Sequence, residues 1–277
     1  MGVSKAEAGL FTTVYSLARK SGVLSTRVGQ DLFTHAYNTY KKYLEDPFYA
    51  LARKRPDLFR GGYVLDVGAN IGYTSTVFAQ AIDPQFRVYA FEPEPFNFQL
   101  LGRAAAAKKA RGRIIAVQAA VGESDGTVPL WRNDHHHGDH RVRTATLAEH
   151  TPAEESFSVP LVSIDTFVAR TKRLHPVCFI KVDVQGYELA VCHGMQKTLS
   201  DNPEAALVLE FMPEAMEDLG FHAADFLQWV KDGGFQIQTL EKSGDLTEGI
   251  SPAIEKTGYV DLLLSRGVIR SGAEPRP

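Results

Sequence analysis

The sequence predicts an α/β fold, a mostly parallel sheet flanked by helices, with a helical segment in front of it. Two observations indicate this fold. Beyond Gly61, short runs rich in Val, Ile and Phe alternate with stretches of helical periodicity, as in parallel strands joined by crossover helices. One of these runs leads directly into a glycine-containing turn and a helix, an arrangement that places ligands at the carboxyl edge of a parallel sheet.

Seven strands are expected in the α/β region, which we place at residues 61–270. Their predicted bounds are Tyr63–Val67, Arg87–Phe91, Arg113–Val117, Val177–Val182, Ala206–Phe211, Phe235–Leu240 and Tyr259–Leu264. The predicted helices between them are Thr74–Ala81, Pro95–Lys109, Glu188–Leu199 and Ala223–Lys231. The number of strands alone does not distinguish the enzyme classes that use such a sheet, so the function must be inferred from the motifs.

Residues 1–60 are predicted to be a helical extension. Apolar residues recur at helical spacing between residues 10 and 18 and again between residues 32 and 43, and Pro47 and Pro56 mark the end of the segment. We expect this extension to act as a lid over a site or as a contact between two copies in a homodimer.

A β insertion is expected between the third and fourth strands, at about residues 123–170. It contains two β-like pieces, Thr127–Trp131 and Phe157–Val162, separated by a polar loop with the histidines His135–His137. An insertion at the carboxyl edge of a parallel sheet lies beside the ligand site. We therefore interpret it as part of an acceptor site.

The composition is that of an ordinary globular protein, with 44% hydrophobic and 23% charged residues. A net charge of -3 argues against a nucleic acid partner, and no stretch is apolar for long enough to span a membrane. The start of the chain does not resemble a signal peptide, so we expect a cytoplasmic protein. Cys178 and Cys192 have no metal-like spacing and are expected to be free thiols in the core.

The strongest motif is the turn after the first strand, Asp66-Val-Gly68-Ala-Asn70-Ile-Gly72. Gly68 and Gly72 permit a sharp turn and a close approach of a ligand to the backbone. A dinucleotide fingerprint would have a second glycine where Asn70 stands, to admit a pyrophosphate. S-adenosylmethionine (AdoMet) has no pyrophosphate, so Asn70 favours AdoMet over NAD, with the Asp66 carboxylate facing the cationic amino group of its methionine part.

A second cofactor signal is Phe91-Glu92-Pro93, at the end of the second strand. A carboxylate at this place hydrogen-bonds the ribose hydroxyls of a bound nucleoside. Glu92 would do this for NAD and AdoMet alike, so it indicates nucleoside binding without choosing between them.

With these residues in place, the sequence resembles the FkbM family of AdoMet-dependent methyltransferases between about Gly62 and Pro213. The resemblance rests on Asp66–Gly72, Phe91–Pro93, Gly138–Arg141, Ile180–Gly186 with Glu188, and Leu209–Glu210. It implies a Rossmann-like class I methyltransferase fold and methyl transfer from AdoMet, usually to a hydroxyl of a sugar or natural product. The family commonly has an acid where this chain has Gln185.

Candidate catalytic residues lie on the fourth and fifth strands. Lys181 and Asp183 share one face of an otherwise apolar strand, where charges are rarely unpaired, and Glu210 on the next strand is an expected ion-pair partner of Lys181. Asp183, at the strand end, is predicted to orient the acceptor or to accept its proton, and to face the cofactor. Glu188 is predicted to bind substrate or to cap its helix.

A second group of candidates lies in the insertion. His140 is predicted to be the general base or an acceptor contact, and Arg141 to bind substrate, because both fall in the family-like segment Gly138–Arg141. His135–His137 are interpreted as a solvated loop. The histidines and carboxylates lack metal-ligand spacing, so we expect no metal site.

These inferences together predict an AdoMet-dependent O-methyltransferase that acts on a hydroxyl of a small molecule. Two alternatives stay open at this point. An NAD-dependent oxidoreductase would share the glycine turn and Glu92, and a non-catalytic scaffold would share the fold. The scaffold is disfavoured because Asp66, Gly68 and Gly72 are all present.

Overall fold

The computed structural model describes residues 26–41, 46–108, 110–131, 140–171 and 174–267. The strands in these ranges are β1 (Tyr63–Val67), β2 (Val88–Phe91), β3 (Ile114–Val117), β4 (Ala120–Val121), β5 (Gly126–Trp131), β6 (Arg141–Val142), β7 (Ser156–Val162), β8 (Val177–Val182), β9 (Ala206–Phe211), β10 (Gln236–Leu240), β11 (Leu246–Glu248) and β12 (Val260–Ser265).

Eight strands form the main sheet in the order β11-β10-β12-β9-β8-β1-β2-β3. The five strands from β9 to β3 are parallel, β12 pairs antiparallel with β9, and β10 pairs antiparallel with β12. The seven predicted strands are all present. The expected count was too low because the short Leu246–Glu248 segment, with a single apolar residue, adds to β10 as the second strand of a hairpin.

The sheet is buried on both faces because successive residues of its central strands enter different hydrophobic cores. Val64 and Phe179 pack in one core, whereas Leu65 and Ile180 pack in the other. All four side chains are fully buried. This alternation gives a Rossmann-like arrangement of three layers, with helices on both faces of the sheet.

The helices are α1 (Arg27–Tyr40), α2 (Phe48–Lys54), α3 (Tyr73–Ala81), α4 (Pro95–Ala106), α5 (Ala145–Ala148), α6 (Ile164–Arg170), α7 (Glu188–His193), α8 (Gln196–Asp201), α9 (Pro213–Asp218), α10 (Ala223–Asp232) and α11 (Ile254–Thr257), with short 3-10 helices at Pro56–Phe59 and Ala153–Glu155. The single helix predicted at Glu188–Leu199 is therefore two. The interruption lies at Gly194, where a Cβ atom would come within 2.0 Å of the Gly122 carbonyl oxygen.

The insertion between β3 and β8 forms a second sheet in the order β4-β7-β5-β6. Its first and last strands, β4 and β7, are parallel neighbours, and β5 pairs antiparallel with both β7 and β6. A small core of Ala120, Leu130, Val142 and Val159 lies on this sheet. The insertion thus begins and ends at one place, beside the carboxyl edge of the main sheet.

The N-terminal extension is helical where the structure describes it, in α1, α2 and the turn at Pro56–Phe59. Residues 1–25 lie outside the described residues, so its role as a lid or a dimer contact stays a prediction. Both cysteines are free; Cys192 is buried as expected, whereas Cys178 is only half-buried. Among the described residues, no helix combines the length and apolar character that crossing a bilayer requires.

Candidate active site

A cleft of about 650 Å³, counting its open mouth, lies at the carboxyl ends of β1, β2, β3 and β8. The insertion sheet forms its opposite wall. The residues that line the cleft are Val67, Gly68, Asn70, Phe91, Glu92, Pro93, Asn97, Ala119, Ala120, Val121, Leu130, His140, Val142, Asp183, Val184, Gln185 and Tyr187. This is the position at which parallel α/β sheets bind their ligands.

The glycine turn forms the floor of the cleft. Gly68 has a φ of +75°, and a Cβ atom on it would come within 1.8 Å of the Asp183 carbonyl oxygen, so only glycine fits between the ends of β1 and β8. Asn70 also has a positive φ, +49°, and its backbone N–H donates to Glu92 Oε2 at 2.9 Å. The turn therefore fixes the carboxylate that follows β2.

Glu92 contributes a buried carboxylate to the cleft wall. Its Oε1 accepts the backbone N–H of Glu94 at 3.0 Å, and its Oε2 accepts that of Asn70. Burial raises the pKa of Glu92 to about 8, against the effect of these hydrogen bonds. Glu92 is thus placed where the sequence predicted a nucleoside partner, and its proton is held more tightly than that of an exposed acid.

Lys181 lies beneath the cleft at the centre of a buried ionic cluster. Its Nζ donates to the Gly68 carbonyl oxygen at 2.8 Å and lies 3.2 Å from Asp183 Oδ2 and 3.6 Å from Asp66 Oδ1. Burial alone would lower the pKa of Lys181, but the charges of Asp183 and Asp66 outweigh it and raise the pKa. The cluster ties the glycine turn to the end of β8.

The carboxylate of Asp183 projects into the cleft from this cluster, with its side chain 39% exposed. Burial would raise the pKa of Asp183, but the Lys181 charge prevails and lowers it. Gln185 Nε2 donates to Asp183 Oδ1 at 3.0 Å and to Glu210 Oε2 at 3.0 Å. Asp183 is therefore a fixed anion, suited to orient a ligand and poorly suited to accept a proton.

The opposite wall is largely apolar. Leu130 and Val142 come from the insertion sheet, and Tyr187 comes from the turn after β8. His140 lies among them and brings an imidazole to the cleft, as the sequence predicted. A ligand with an apolar surface and a hydrogen-bonding group would fit this wall.

Several predicted site residues lie outside the cleft wall. Asp66 is fully buried, and its Oδ2 accepts the hydroxyls of Thr74 and Ser75, which fixes the start of α3. Its contact with a methionine amino group stays a prediction. Gly72 packs against Leu101, which a Cβ atom would approach to 2.8 Å. Both residues shape the glycine turn from behind it.

The predicted ion pair between Lys181 and Glu210 is wrong. Among the described residues, Lys181 pairs with Asp66, which lies opposite it on β1, and with Asp183, and it makes no ion pair with Glu210. Burial, with the nearby Asp183 charge, raises the pKa of Glu210 well above its usual range. Glu210 does not line the cleft, and Lys181 acts beneath it.

Glu188 and Arg141 have partners within the protein and do not line the cleft, and a substrate contact of either stays a prediction. The buried Glu188 carboxylate accepts the backbone N–H groups of Val184 at 3.0 Å and Gly186 at 2.9 Å. It therefore stabilises the turn that precedes α7. Arg141 pairs with Asp218 on α9 at 3.0 Å and so ties the insertion to the main domain. His135–His137 lie outside the described residues.

Sequence reasoning missed much of the wall, including Asn97, Ala119, Val184 and Tyr187. Ala119 follows β3 and Val184 follows β8, so a rule that selects residues just after parallel strands would have found them. Asn97, within α4, carries no such signal. Within the described residues no group of three or more His, Cys, Asp or Glu side chains is arranged to hold a metal ion.

Comparison with known proteins identifies the family. Residues 66–237, more than half of the chain, match the methyltransferase FkbM domain. The chain belongs to the FkbM methyltransferase family. The match begins at Asp66 and ends in β10, so it contains the whole cleft and the insertion.

Two curated relatives of this FkbM methyltransferase are also methyltransferases. The methyltransferase sdnD of Sordaria araneosa is 26% identical over 226 residues, which cover 70% of this chain and 85% of sdnD. The hexuronic acid methyltransferase AglP of Haloferax volcanii is 30% identical over 139 residues, which cover 48% of this chain and 50% of AglP. The solved structure of methyltransferase FkbM from Methylobacillus flagellatus KT aligns with a TM-score of 0.45 and 17% identity, over 74% of this chain and 43% of that one.

Proposed function

We propose that this FkbM methyltransferase transfers a methyl group from AdoMet to a hydroxyl oxygen of a small, uncharged acceptor. The observation that carries the proposal is the cleft itself. It brings the glycine turn, Glu92, Asp183 and His140 to one space. The glycine turn and Glu92 suit a nucleoside, and Asp183 and His140 suit an alcohol that must be oriented and deprotonated.

The residues of the glycine turn and Glu92 fit AdoMet. Glu92 has a carboxylate in the cleft wall that accepts only backbone N–H groups from the described residues, so it retains lone pairs for ribose hydroxyls. Asn70 lines the cleft, and its Oδ1 is buried with no hydrogen-bond partner among the described residues. Such an atom is an acceptor for a ligand N–H or O–H group.

When bound, AdoMet supplies an activated methyl group on a sulfonium. The chain must then hold the acceptor oxygen in position and remove its proton. The fixed carboxylate of Asp183 can accept a hydrogen bond from the acceptor hydroxyl, and His140 can take the proton as general base. Leu130, Val142 and Tyr187 would exclude water around it.

The charge of the cleft favours an uncharged acceptor. Glu92 and Asp183 both face it, and Asp183 is held as an anion, so an acidic acceptor would bring like charges together. AglP is named for a hexuronic acid, and this chain need not share that acceptor class. A neutral sugar or a natural product with a free hydroxyl would meet no such repulsion.

The first experiment tests the cofactor. A thermal shift with AdoMet, S-adenosylhomocysteine and NAD should show stabilisation by the two adenosyl compounds and none by NAD, because a ligand that binds the native state stabilises it.

Calorimetry on Glu92→Ala should show AdoMet affinity reduced more than about tenfold, which corresponds to loss of at least 1.4 kcal/mol of binding free energy. Glu248→Ala, an exposed acid on β11, is the matched control. Stabilisation by NAD alone would refute the proposal.

The second experiment tests the acceptor. Purified protein and AdoMet carrying a labelled methyl group are incubated with paired compounds that differ in one group, such as a hexoside and the matching hexuronoside. We expect labelled product from the neutral member and none from the acid. Label transferred only to the acid, as a methyl ester, would overturn the acceptor assignment while leaving the cofactor assignment intact.

A further inference from the structure

Backbone hydrogen bonds and close packing fix the turn between β8 and α7. The Asp183 N–H donates to the Val67 carbonyl oxygen at 3.1 Å, and Glu188 accepts the N–H groups of Val184 and Gly186. Gly186 has a φ of +101°, and a Cβ atom there would come within 2.3 Å of the Ala215 carbonyl oxygen. The backbone on both sides of position 185 is therefore tightly held.

Gln185 adopts an uncommon backbone conformation within this turn. Its φ is +57°, in the left-handed region that residues with a Cβ atom rarely occupy. Non-glycine residues persist in this region where the surrounding structure fixes them, often at functional sites. The result here is a side chain that lies in the cleft wall and reaches two carboxylates.

The Gln185 amide is chemically matched to this position. Its Nε2 contacts Asp183 Oδ1 and Glu210 Oε2, both at 3.0 Å, and its two hydrogens can serve one carboxylate each. The amide is uncharged, so it brings two acids together without a third charge. Lys181 holds the other Asp183 oxygen, Oδ2. Both oxygens of the Asp183 carboxylate are therefore held by side chains of the protein.

We propose that Gln185 is a positioning residue that fixes the Asp183 carboxylate in the cleft wall and links it to Glu210. The proposal deepens the function proposed above, since it assigns the group that holds the acceptor-orienting anion. Its contacts, however, are made within the protein and do not depend on which molecule enters the cleft.

Removal of the amide should change how Asp183 binds a proton. Hydrogen bonds donated to a carboxylate favour its charged form, so their loss raises the pKa of Asp183. The charged and titratable groups around Asp183 that remain in place are Lys181 and Glu188 on its own segment, Asp66 on β1, Glu210 on β9, Asp261 on β12, and Lys41 after α1.

The experiment is a carboxyl ¹³C NMR titration of the full chain with labelled Asp and Glu, from neutral pH to the onset of acid unfolding. Asp183→Asn identifies the Asp183 signal. Gln185→Met keeps the length of the side chain and removes both donors, and we expect it to raise the pKa of Asp183 by about one. Gln185→Glu also adds a like charge, so its effect should be larger. Gln80→Met, on the exposed face of α3, is the matched control.

A merely structural role for Gln185 gives a different result. It would lower the melting temperature of the variants and leave the Asp183 titration unchanged, and that outcome would overturn the proposal. If Gln185→Met does not fold, the titration of Asp183 in the isosteric Gln185→Glu variant tests the proposal alone. Thermal shifts with AdoMet, measured on the wild type, report separately on the proposed function, so either proposal can fail without the other.

Discussion

Two carboxylates reach the same cleft from the strands on either side of β1 and differ in charge. Glu92, after β2, accepts only backbone N–H groups from the described residues, and burial raises its pKa to about 8. Asp183, after β8, lies 3.2 Å from the Lys181 ammonium, and its pKa is lowered. Backbone dipoles partly solvate a buried acid, whereas a buried cation keeps it charged.

This difference suits the two acids to different tasks. A carboxylate that gains hydroxyl donors from a ligand becomes easier to ionise, so under the proposed function Glu92 would change its protonation when a nucleoside binds. The charge of Asp183 is set by Lys181, within the protein.

The largest effect is expected from removal of the buried Lys181 cation, which sets the charge of Asp183. Lys181→Met leaves Asp66 and Asp183 without their partner and the Gly68 carbonyl oxygen without its donor. We expect a loss of about 3–5 kcal/mol in the free energy of unfolding, measured by urea denaturation. Lys197→Met, which removes an exposed pair with Asp201, should cause little change. Equal stability of Lys181→Met and the wild type would show that the cluster is not what fixes Asp183.

A second prediction separates orienting from proton transfer. If Asp183 is a fixed anion, the proton of the acceptor goes to His140, and His140→Ala should reduce turnover by about 10²–10⁴ while AdoMet affinity stays unchanged. Asp183→Asn should instead raise the KM for the acceptor more than it lowers kcat. Single-turnover kinetics with the acceptor found by methyl labelling measure both. Full activity of His140→Ala would show that another group is the general base.

A third prediction concerns the pH dependence of cofactor binding. The pKa of Glu92 is about 8 in the free protein, and ribose hydroxyls that donate to its carboxylate would lower it. Binding then releases a proton, so the affinity for S-adenosylhomocysteine should rise between about pH 6 and 8, by at most tenfold per pH unit. Calorimetry in buffers of different ionisation enthalpy detects the proton. In Glu92→Gln this pH dependence should disappear, and its persistence would assign it to another group.

The smallest expected effect concerns the insertion. Arg141→Met removes the ion pair with Asp218, whose side chain is 58% exposed, so stability should change by less than about 1 kcal/mol. Amide exchange in β5 and β6 should nevertheless become faster, because the insertion loses a tie to α9. Lys54→Met, which removes a surface pair with Asp245 away from the cleft, should leave that exchange unchanged.

The main sheet was predictable because each strand is a short apolar run that ends in a turn. The periodicity placed all seven predicted strands, but it could not show that the predicted helix divides at Gly194, which packs against the distant Gly122 backbone. The hairpin strand Leu246–Glu248 has one apolar residue in three and so gave no alternating pattern.

The site was predictable where chemistry follows strand ends. Glu92, Asn70 and Asp183, which the sequence proposed for the site, all line the cleft and each follows a parallel strand, while their roles stay predictions. Which charges pair was not predictable. Lys181 could have reached Glu210 or Asp66 from its strand, and only the register, with Asp66 opposite Lys181, decides. In the same way, the sequence could not show that Arg141 pairs with the distant Asp218.

The parallel pairing of β4 with β7 has an evolutionary consequence. The Cα partners Ala120 and Leu161 stand side by side, so the chain leaves the core and returns to it through one narrow stem. Because the segment between them leaves and re-enters the core at this stem, we expect its sequence to vary more among relatives than the main sheet and the turn at Gly68 do. Under the proposed function, such variation would change the acceptor and keep the donor.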